Sequence, residues 1–468
     1  MRGWLPLLLL VGCDSIFGLN DVQLRPDTGG RMVTGTIYQL YAHNDPDGVP
    51  TLEKVFFAPN VVTMTLETDT GSLVIPVDAA GAFAFATDPG AYRLAVQAAG
   101  GASSEELVLS SDTLEIVVSS LTRPDVQLVQ NASIVFNPSP KLSFPMMVTT
   151  GIWSPSIKMT AGAGSTWVAP YPVAFDATMG DRVFAIDYVT DPFAGAAANH
   201  IVRFAAGDST VRVTSDTPTP VPATTVEPPL SCLGIDPQFD QGLTRLTPVS
   251  DATDVVARQW QVAAFPSDEI APSSNGIVLA EDQSGVSGTA DAMVVDPFGL
   301  PPFAVSGVAR IRTYLATTYG SEITEYHEVT IPDPAAGCVT VETFGTTVAP
   351  VAAEITFGGV QLAADDVQVD RGTDSLVELS WQPSAQQVDG WDVELDEVGT
   401  TTNPHNVHVI LTTETSVKLA SSVLVPGRSY IFQIVGIVGL PSASHGDFVS
   451  ATFPLAVTSV ASHPFNVL

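Results

Sequence analysis

Basic side chains are scarce in this chain of 468 residues. Lysine and arginine together number 18, and only four of these are lysines, against 50 aspartates and glutamates, so the formal net charge is −32 at pH 7. A surface with so large a negative excess repels a phosphate backbone, and nucleic acid is therefore excluded as a partner. Anionic lipid head groups are repelled in the same way, and we expect the acidity to serve solubility.

Motifs of nucleotide and acyl-transfer enzymes are missing as well. The chain has no Gly-x-x-x-x-Gly-Lys-Ser/Thr loop, no Gly-x-Gly-x-x-Gly placed between a strand and a helix, and no Gly-x-Ser-x-Gly. The first two motifs bind phosphates through backbone amides, and the third presents a nucleophilic serine on a sharp turn. We therefore expect no catalytic residue, no cofactor and no enzyme activity of the chain's own.

Apolar runs of membrane-spanning length are not found near the amino terminus. The run from Trp4 to Val11 has eight residues, follows Arg2 and precedes Gly12. A helix needs about 20 apolar residues to cross a bilayer, so the run is typical of an export signal rather than a transmembrane span. A short charged and apolar segment of this kind predicts an exported protein.

The residues Leu10-Val11-Gly12-Cys13 resemble the bacterial lipoprotein lipobox. This resemblance implies that residues 1–12 are a lipoprotein signal peptide, that Cys13 is the lipidation site, and that residues 13–31 are a tether. It also implies a membrane partner through the lipid anchor, because each buried methylene contributes about 0.8 kcal/mol. The expected location is the cell envelope, at the outer membrane and facing the periplasm or the exterior. An inner-membrane location and an ordinary secretory signal that contains a cysteine are the alternatives.

Two further cysteines remain, Cys232 and Cys338. An exported chain meets an oxidising compartment, so the pair is expected to form a disulfide. The alternative is two separately buried thiols, since free cysteine packs as a small hydrophobe.

Composition indicates a globular all-β protein. Apolar residues make up 45% and charged residues 15% of the chain, which is typical neither of disorder nor of a coiled coil. Short β-branched or aromatic segments alternate with Gly, Pro and Asp, and no useful helical period appears. The predicted fold class is a string of antiparallel β-sandwich domains of Ig-like, fibronectin III-like or transthyretin-like type.

Residues 32–130 carry the first recognisable pattern. Val33-Thr34-Gly35-Thr36-Ile37 opens a strand, a turn from Asp78 to Gly81 leads into an alternating Phe strand, and Pro89-Gly90-Ala91-Tyr92-Arg93-Leu94 follows. Glycines suit turn positions with positive φ, and alternating side chains face one core; those expected in this core are Phe83, Phe85, Tyr92 and Leu94. The pattern resembles the carboxypeptidase regulatory-like, transthyretin-like sandwich, and the resemblance implies a spacer or binding unit.

Two further sandwiches are expected in the middle of the chain. The first spans residues 131–230 and ends in a Pro/Thr-rich linker, and the second spans residues 231–349, with the two cysteines near its ends. A single larger domain spanning both is the alternative. Trp153, Trp167 and Tyr171 lie close together in sequence, where core packing is favoured over a site for sugars or peptides.

Residues 350–468 contain the clearest pattern. Trp381 ends an early strand, Gly390-Trp391-Asp392-Val393-Glu394-Leu395 alternates, and Pro426-Gly427-Arg428-Ser429-Tyr430-Ile431-Phe432 follows. These segments resemble a fibronectin type III domain, in which the tyrosine hydroxyl bonds back to the backbone at a corner. The resemblance assigns Trp381 and Tyr430 to the core. The integrin-binding Arg-Gly-Asp loop is absent, since Asp370-Arg371-Gly372 has a different order.

Clusters of polar residues offer weak candidates for chemistry. The segment from His43 to Gly48 holds Asn44, Asp45 and Asp47, whose oxygens suit Ca²⁺, although a plain turn is the favoured interpretation and no metal is expected. His405 and His408 lack the HExxH glutamate and are expected to be a solvated loop feature rather than a zinc site.

Two pairs of adjacent acids remain, Asp365-Asp366 and Glu105-Glu106. Neighbouring residues on a strand point to opposite faces, so neither pair suits a shared acid–base site. Both pairs are expected at solvated edges, because acidic side chains are rarely buried without a partner.

The expected function is a lipid-anchored envelope protein with a structural, adhesive or interaction role. Its partners would be proteins or glycans at the cell surface. A carbohydrate- or peptide-binding surface lipoprotein is one alternative, and an enzyme with its site in the middle region is another.

Overall fold

The computed structural model of the protein describes the chain in segments from residue 30 onward. In the amino-terminal part these are residues 30–44, 50–58, 61–68, 71–98 and 105–118, and in the carboxyl-terminal part residues 352–364, 367–371, 376–384, 388–398, 405–452 and 454–468. Between the two parts the described residues are the strands from Ser133 to Glu342, with residues 217 and 218.

Eight strands form the amino-terminal unit. They are β1 (Arg31–Asn44), β2 (Pro50–Val55), β3 (Val62–Thr68), β4 (Gly71–Ile75), β5 (Ala82–Thr87), β6 (Tyr92–Ala98), β7 (Glu105–Leu109) and β8 (Thr113–Val117). In one layer β1 pairs antiparallel with β5 and parallel with β8, and its second half pairs with β2. In the other layer β3 pairs with β4 and β6, and β6 pairs with β7.

Alternation along the strands builds the core of this unit, as the sequence predicts. Phe83, Phe85, Tyr92 and Leu94 are all buried. Their neighbours on the same strands are less buried, in agreement with the two-residue period of a β-strand. The layers are therefore held together by one alternating set of apolar side chains.

Glycine is required at two positions of the amino-terminal unit. A Cβ on Gly35 would lie 2.6 Å from the carbonyl oxygen of Leu114, and one on Gly81 would lie 2.3 Å from that of Ile37. Gly81 also has a φ of +72°, where a side chain is strained. The positive φ expected at Gly81 and Gly90 is confirmed.

Seventeen strands are described in the middle of the chain. They are β9 (Ser133–Asn137), β10 (Met146–Thr149), β11 (Pro155–Lys158), β12 (Thr166–Val168), β13 (Phe175–Asp176), β14 (Arg182–Phe193), β15 (Ala196–Gly207), β16 (Arg212–Val213), β17 (Thr219–Val226), β18 (Leu230–Asp236), β19 (Asp254–Phe265), β20 (Glu269–Ile270), β21 (Ile277–Asp282), β22 (Ala290–Val295), β23 (Ser306–Ala316), β24 (Glu322–Thr330) and β25 (Val339–Glu342). β15 pairs with β21, so a ladder joins the two expected middle units.

Eleven strands form the carboxyl-terminal unit. They are β26 (Ala352–Phe357), β27 (Val360–Gln361), β28 (Val367–Val369), β29 (Leu376–Pro383), β30 (Gly390–Glu397), β31 (His405–Thr412), β32 (Ser416–Ala420), β33 (Ser429–Val438), β34 (Ala451–Thr452), β35 (Leu455–Ala461) and β36 (Phe465–Val467). β27, β26, β29 and β32 form one layer, and β31, β30, β33 and β35 form the other. β35 also pairs with β24 of the middle region.

Aromatic side chains fill the interior of the carboxyl-terminal unit. The rings of Trp381 and Trp391 meet edge to face, with centroids 5.5 Å apart, and both are buried. The backbone amide of Val425 donates a 2.9 Å hydrogen bond to the hydroxyl of Tyr430, which is also buried. The expected core positions of Trp381 and Tyr430, and the bond from the tyrosine to the corner, are confirmed.

The fold class expected from the sequence is confirmed. Within the described segments the regular structure is almost entirely strand, and the helical turns are two short 3₁₀ helices, Ser421–Val423 and Ala443–His445. The strands form antiparallel and mixed sheets that pack as sandwiches. Nowhere in the described part of the chain is there a helix of the length and hydropathy needed to cross a membrane.

Candidate functional site

The amino-terminal and carboxyl-terminal units meet along a ladder between β7 and β31, which we call the seam. The two strands run parallel, with Glu105 opposite Val409 and Val108 opposite Thr412. At the end of the ladder the Thr412 hydroxyl donates a 2.8 Å hydrogen bond to the Val108 carbonyl and accepts one from the Glu414 amide. One sheet therefore runs without a break from the amino-terminal unit into the carboxyl-terminal unit.

Alternation along β7 sends its side chains into two different cores. Val108 belongs to the core of the carboxyl-terminal unit, together with Trp391 and Ile410. Leu107 and Leu109 point to the other face and belong to the core of the amino-terminal unit. The cores of the two units therefore lie on opposite faces of the shared sheet.

The loop that follows β33 covers the amino-terminal core. Leu440, Ala443 and Phe448 are buried in the same cluster as the strands of the amino-terminal unit. The ring of Phe448 occupies the space beside Gly390, where a Cβ would lie 2.8 Å from the ring. Gly446, at φ +93°, brings the loop to within van der Waals distance of Ile116 on β8. The carboxyl-terminal unit thus closes the core of the amino-terminal one.

A buried ion cluster lies on the carboxyl-terminal core side of the sheet, at the end of the seam. Glu106 on β7 is paired with the guanidinium of Arg93 on β6, and its Oε2 lies 3.0 Å from Nε2 of His408 on β31. The Nη2 of Arg93 donates a second bond of 3.1 Å to the same Oε2. The three side chains are 12%, 6% and 16% exposed in the order Arg93, Glu106, His408.

Glu106 is held as a carboxylate by its partners. Burial by itself raises the pKa of this carboxyl, but the hydrogen bonds from His408 and Arg93 outweigh it and lower the pKa below the usual value. An ionised Glu106 accepts hydrogen bonds only, so Nε2 of His408 carries the proton that they share. A carboxylate that is hydrogen-bonded by both Arg93 and His408 and is held ionised is a poor general base. The cluster links β6, β7 and β31, and we call it the clamp.

The opposite face of the same sheet carries further acids. Glu105 of β7 and Asp392 of β30 lie beside the amino-terminal core, and the Oδ1 of Asp392 is buried with no hydrogen-bond partner. Burial raises the pKa of Glu105. Burial, with repulsion from Glu394 and Glu105, raises the pKa of Asp392 to about 8. The two faces of the seam therefore differ, since one carries Glu106 paired with Arg93 and His408 and the other carries two carboxyls whose pKa values are raised.

Two sequence-based expectations about these residues are wrong. Glu106 is not at a solvated edge but buried in an ion cluster, and His408 is not a solvated loop residue but part of β31 with its ring on Glu106. The expectation that Glu105 and Glu106 point to opposite faces holds, since they enter different environments. Glu106 is buried because β31, from far along the chain, pairs with β7. The alternation of side chains along β7 does not predict this pairing.

Several candidate residues lie outside the described part of the chain. These are Cys13, Asp45, Asp47, Cys338, Trp153, Tyr171, Asp365 and Asp366. For Asn44, Trp167, Cys232 and His405 the strand is described and the side chain is not. Cys232 lies on β18, whose Leu233 stands opposite Val339, the first residue of β25. In the described residues no group of three or more His, Cys, Asp or Glu could hold a metal ion.

Two residues of the seam were missed by sequence reasoning. Arg93 was assigned only to the Pro-Gly-x-Tyr-x-Leu pattern, and Asp392 only to an alternating strand. The signal for Arg93 is its position between the buried Tyr92 and Leu94, which places it on the other face of β6. No local signal marks Asp392, whose ladder neighbours are Leu411 of β31 and Val435 of β33.

Comparison with known proteins agrees with the geometry of the carboxyl-terminal unit. The FN1-FN3 domains of chicken CNTN1 match 72% of this chain and 96% of theirs, with 11% identity and a TM-score of 0.14, which is too low to support any argument. A search of curated proteins finds no match. The model of the family described as "Fibronectin type III domain" matches residues 362–445. These residues therefore contain a fibronectin type III domain.

Proposed function

We propose that this protein is a lipid-anchored component of a bacterial cell envelope with a structural, adhesive or interaction role. The observation that carries the proposal is the seam, where two sandwiches share a sheet and complete each other's cores. A shared sheet and shared core residues restrain the two sandwiches relative to each other. A fibronectin type III domain in this arrangement suits the presentation of surfaces to partners.

The chemistry of the seam supports a role without catalysis. Glu106, the acid of the cluster, is hydrogen-bonded by Arg93 and His408. General acid–base catalysis needs a group within hydrogen-bond reach of a substrate and with a pKa near the working pH. Glu106 meets neither condition, because burial closes it off and its partners lower its pKa.

Anchorage at the membrane rests on Cys13. Its place after a short apolar run fits diacylation, and the strong negative charge of the chain leaves no electrostatic attraction to anionic lipids. The outer membrane is the proposed location, with protein or glycan partners in the periplasm or outside the cell.

Metabolic labelling with a clickable fatty-acid analogue tests the anchor. Wild type is expected to carry the label and to sediment with membranes, and Cys13→Ala is expected to lose both. Cys232→Ala is the matched control, since it removes a cysteine that the proposal does not lipidate, and it should keep the label. An unlabelled wild type, or a labelled Cys13→Ala variant, would contradict lipidation and leave the interaction role standing.

Cross-linking in intact cells tests the interaction role. The wild type is expected to cross-link repeatedly to an envelope or surface component. Recovery of none, together with one small molecule that sharply raises the melting temperature, would instead favour a ligand-binding or catalytic protein.

A further inference from the structure

Strand β4 is an edge of the amino-terminal unit. In the described ladders it pairs with β3 on one side, so alternate backbone amides and carbonyls on its other side face outward. Proteins commonly protect such an edge with lysine, proline or a bulge, or cover it with another segment. The sequence of β4, Gly-Ser-Leu-Val-Ile, contains no charge and no proline, and Leu73 and Val74 are 56% and 66% exposed. The edge is therefore apolar and suited to pairing with a further strand.

Leu73 marks a place where the core of the amino-terminal unit is open to water. It stands opposite Leu66 of β3 and points to the same face as Ile75. Leu66 and Ile75 are almost completely buried, whereas Leu73 is not. An apolar side chain on an added strand would cover Leu73 and extend the core to the edge.

The sequence just before β1 has the pattern of a strand that fits this edge. Residues 21–25, Asp-Val-Gln-Leu-Arg, place Val22 and Leu24 between polar side chains, which is the two-residue period of a half-buried strand. Residues 26–30, Pro-Asp-Thr-Gly-Gly, are typical of a turn. Residues 1–29 lie outside the described part of the chain.

The chain between this segment and β1 is long enough to reach β4. β1 begins at Arg31, opposite Thr87 at the end of β5. β4 leads into β5 through a turn at Asp78–Gly81, so Gly71 at the start of β4 and the end of β5 lie at the same end of the sandwich. A strand that leaves β4 there must cross about 10 Å between layers. Residues 26–30 allow a span of about 20 Å.

We propose that residues 21–25 dock antiparallel on the free edge of β4, with Leu24 opposite Leu73 and Val22 opposite Ile75. This direction brings the end of the docked segment to the end of the sandwich where β1 begins. Because the segment belongs to the same chain, its effective concentration at the edge is high. A second copy of the chain is a poorer occupant, since two chains of net charge −32 repel each other.

Charge favours the same register. Arg25 would stand opposite Ser72, whose hydroxyl donates a 2.7 Å hydrogen bond to Oε2 of Glu67 on β3. The long side chain of Arg25 can reach this carboxylate on the outer face of the sheet. Glu67 also stands opposite Arg93 on β6, and Arg93 is bound to Glu106. An acidic group at the edge therefore matches the basic residue of the segment.

Docking shortens the tether. With the lipid anchor at Cys13, a consequence that rests on the proposed function, residues 14–20 remain as the free part. This part spans at most about 27 Å, so the amino-terminal unit is held close to the membrane. Docking on β4 itself does not depend on the anchor.

Hydrogen exchange of the full chain, resolved to single residues at constant pH, measures docking. We expect the outward-facing amides of β4 to be protected in the wild type. The double substitution Val22→Ser/Leu24→Ser removes the apolar contacts and is expected to speed their exchange about tenfold. Gln23→Ser changes the polar side chain between them, on the other face, and should keep the protection.

The reciprocal substitution tests the same contact from β4. Leu73→Ser is expected to speed exchange of residues 21–25 by a similar factor. Val360→Ser is the matched control, because it changes an exposed apolar side chain on β27 and should leave residues 21–25 protected.

Three results would overturn the proposal. One is exchange of the outward-facing β4 amides at the intrinsic rate in the wild type. Another is unchanged β4 exchange in the Val22→Ser/Leu24→Ser variant. The third is protection of β4 that falls on dilution, which would identify a second copy of the chain as the occupant.

Discussion

The amino-terminal and carboxyl-terminal units are both sandwiches, but they complete their cores differently. The core of the carboxyl-terminal unit is made of its own residues, with Val108 as the one contribution from the amino-terminal unit among those described. The amino-terminal core takes five buried residues from the other unit, namely Leu440, Ala443, Phe448, Ala451 and Leu455. The core of the amino-terminal unit therefore depends more on residues of the carboxyl-terminal unit than the reverse, and we call this difference the inequality.

Truncation of one aromatic side chain in each core tests this inequality with the largest expected effect. Trp391→Ala and Phe85→Ala each remove a buried ring, and each is expected to cost about 3–5 kcal/mol. Hydrogen exchange should show loss of protection in both units for Trp391→Ala and in the amino-terminal unit alone for Phe85→Ala.

The exposed Val74 provides the control for these two variants. It is 66% exposed on β4, and Val74→Ala should leave exchange unchanged. Normal protection of β5 and β6 in the Trp391→Ala variant would show that the amino-terminal unit stands alone and would refute the inequality.

Neutralising the clamp has the next largest expected effect. Glu106→Gln leaves the buried charge of Arg93 without its counter-ion, and we expect a loss on the order of 3 kcal/mol, measured by chemical denaturation at pH 7. Because the pKa of Glu106 is lowered in the folded protein, the difference from wild type should shrink as the pH falls from 6 toward 3.

An exposed ion pair is the matched comparison for the clamp. Glu397 binds Arg428 with contacts of 2.6 Å at the surface, where ion pairs contribute little. Glu397→Gln should therefore barely change the free energy of unfolding. Equal effects of the two substitutions would mean that burial at the seam has no energetic consequence.

Two glycines with positive φ give the smallest effect. Gly446→Ala and Gly427→Ala both force alanine into the left-handed region, at a cost of about 1–2 kcal/mol. A Cβ on Gly446 would also lie 3.1 Å from Cγ1 of Ile116, whereas one on Gly427 meets nothing within 4 Å. Only Gly446→Ala should therefore lower exchange protection of β8. Equal protection of β8 in both variants would argue against a close loop contact.

Local patterns in the sequence predict those structural features that depend on residues close together in the chain. The burial of Trp381 and Tyr430 and the positive φ of Gly81 and Gly90 depend on residues close in the chain, and all were foreseen. The amino-terminal strands were likewise marked by alternation and by turn residues.

The seam could not be predicted because it depends on distant residues. Glu106 and His408 are separated by 302 positions, and alternation tells which face a residue takes but not what covers that face. Asp392 shows the same limit: the alternation of its own strand is local, whereas Glu105, which contributes to the raised pKa of Asp392, comes from a distant part of the chain. Contacts between residues so far apart in sequence depend on how the two units pack together. The periodicity of side chains within one strand does not predict them.

The ladder between β7 and β31 also sets an order of events during biosynthesis. Residues 31–118 leave the ribosome well before residues 405–412, and roughly 15–60 s separate them at about 5–20 residues per second. During that interval β7 has an unpaired edge and the apolar surface beside it is uncovered, a state that favours aggregation unless a chaperone holds it. The amino-terminal unit is synthesised first, but its core is completed only after the carboxyl-terminal unit has been synthesised.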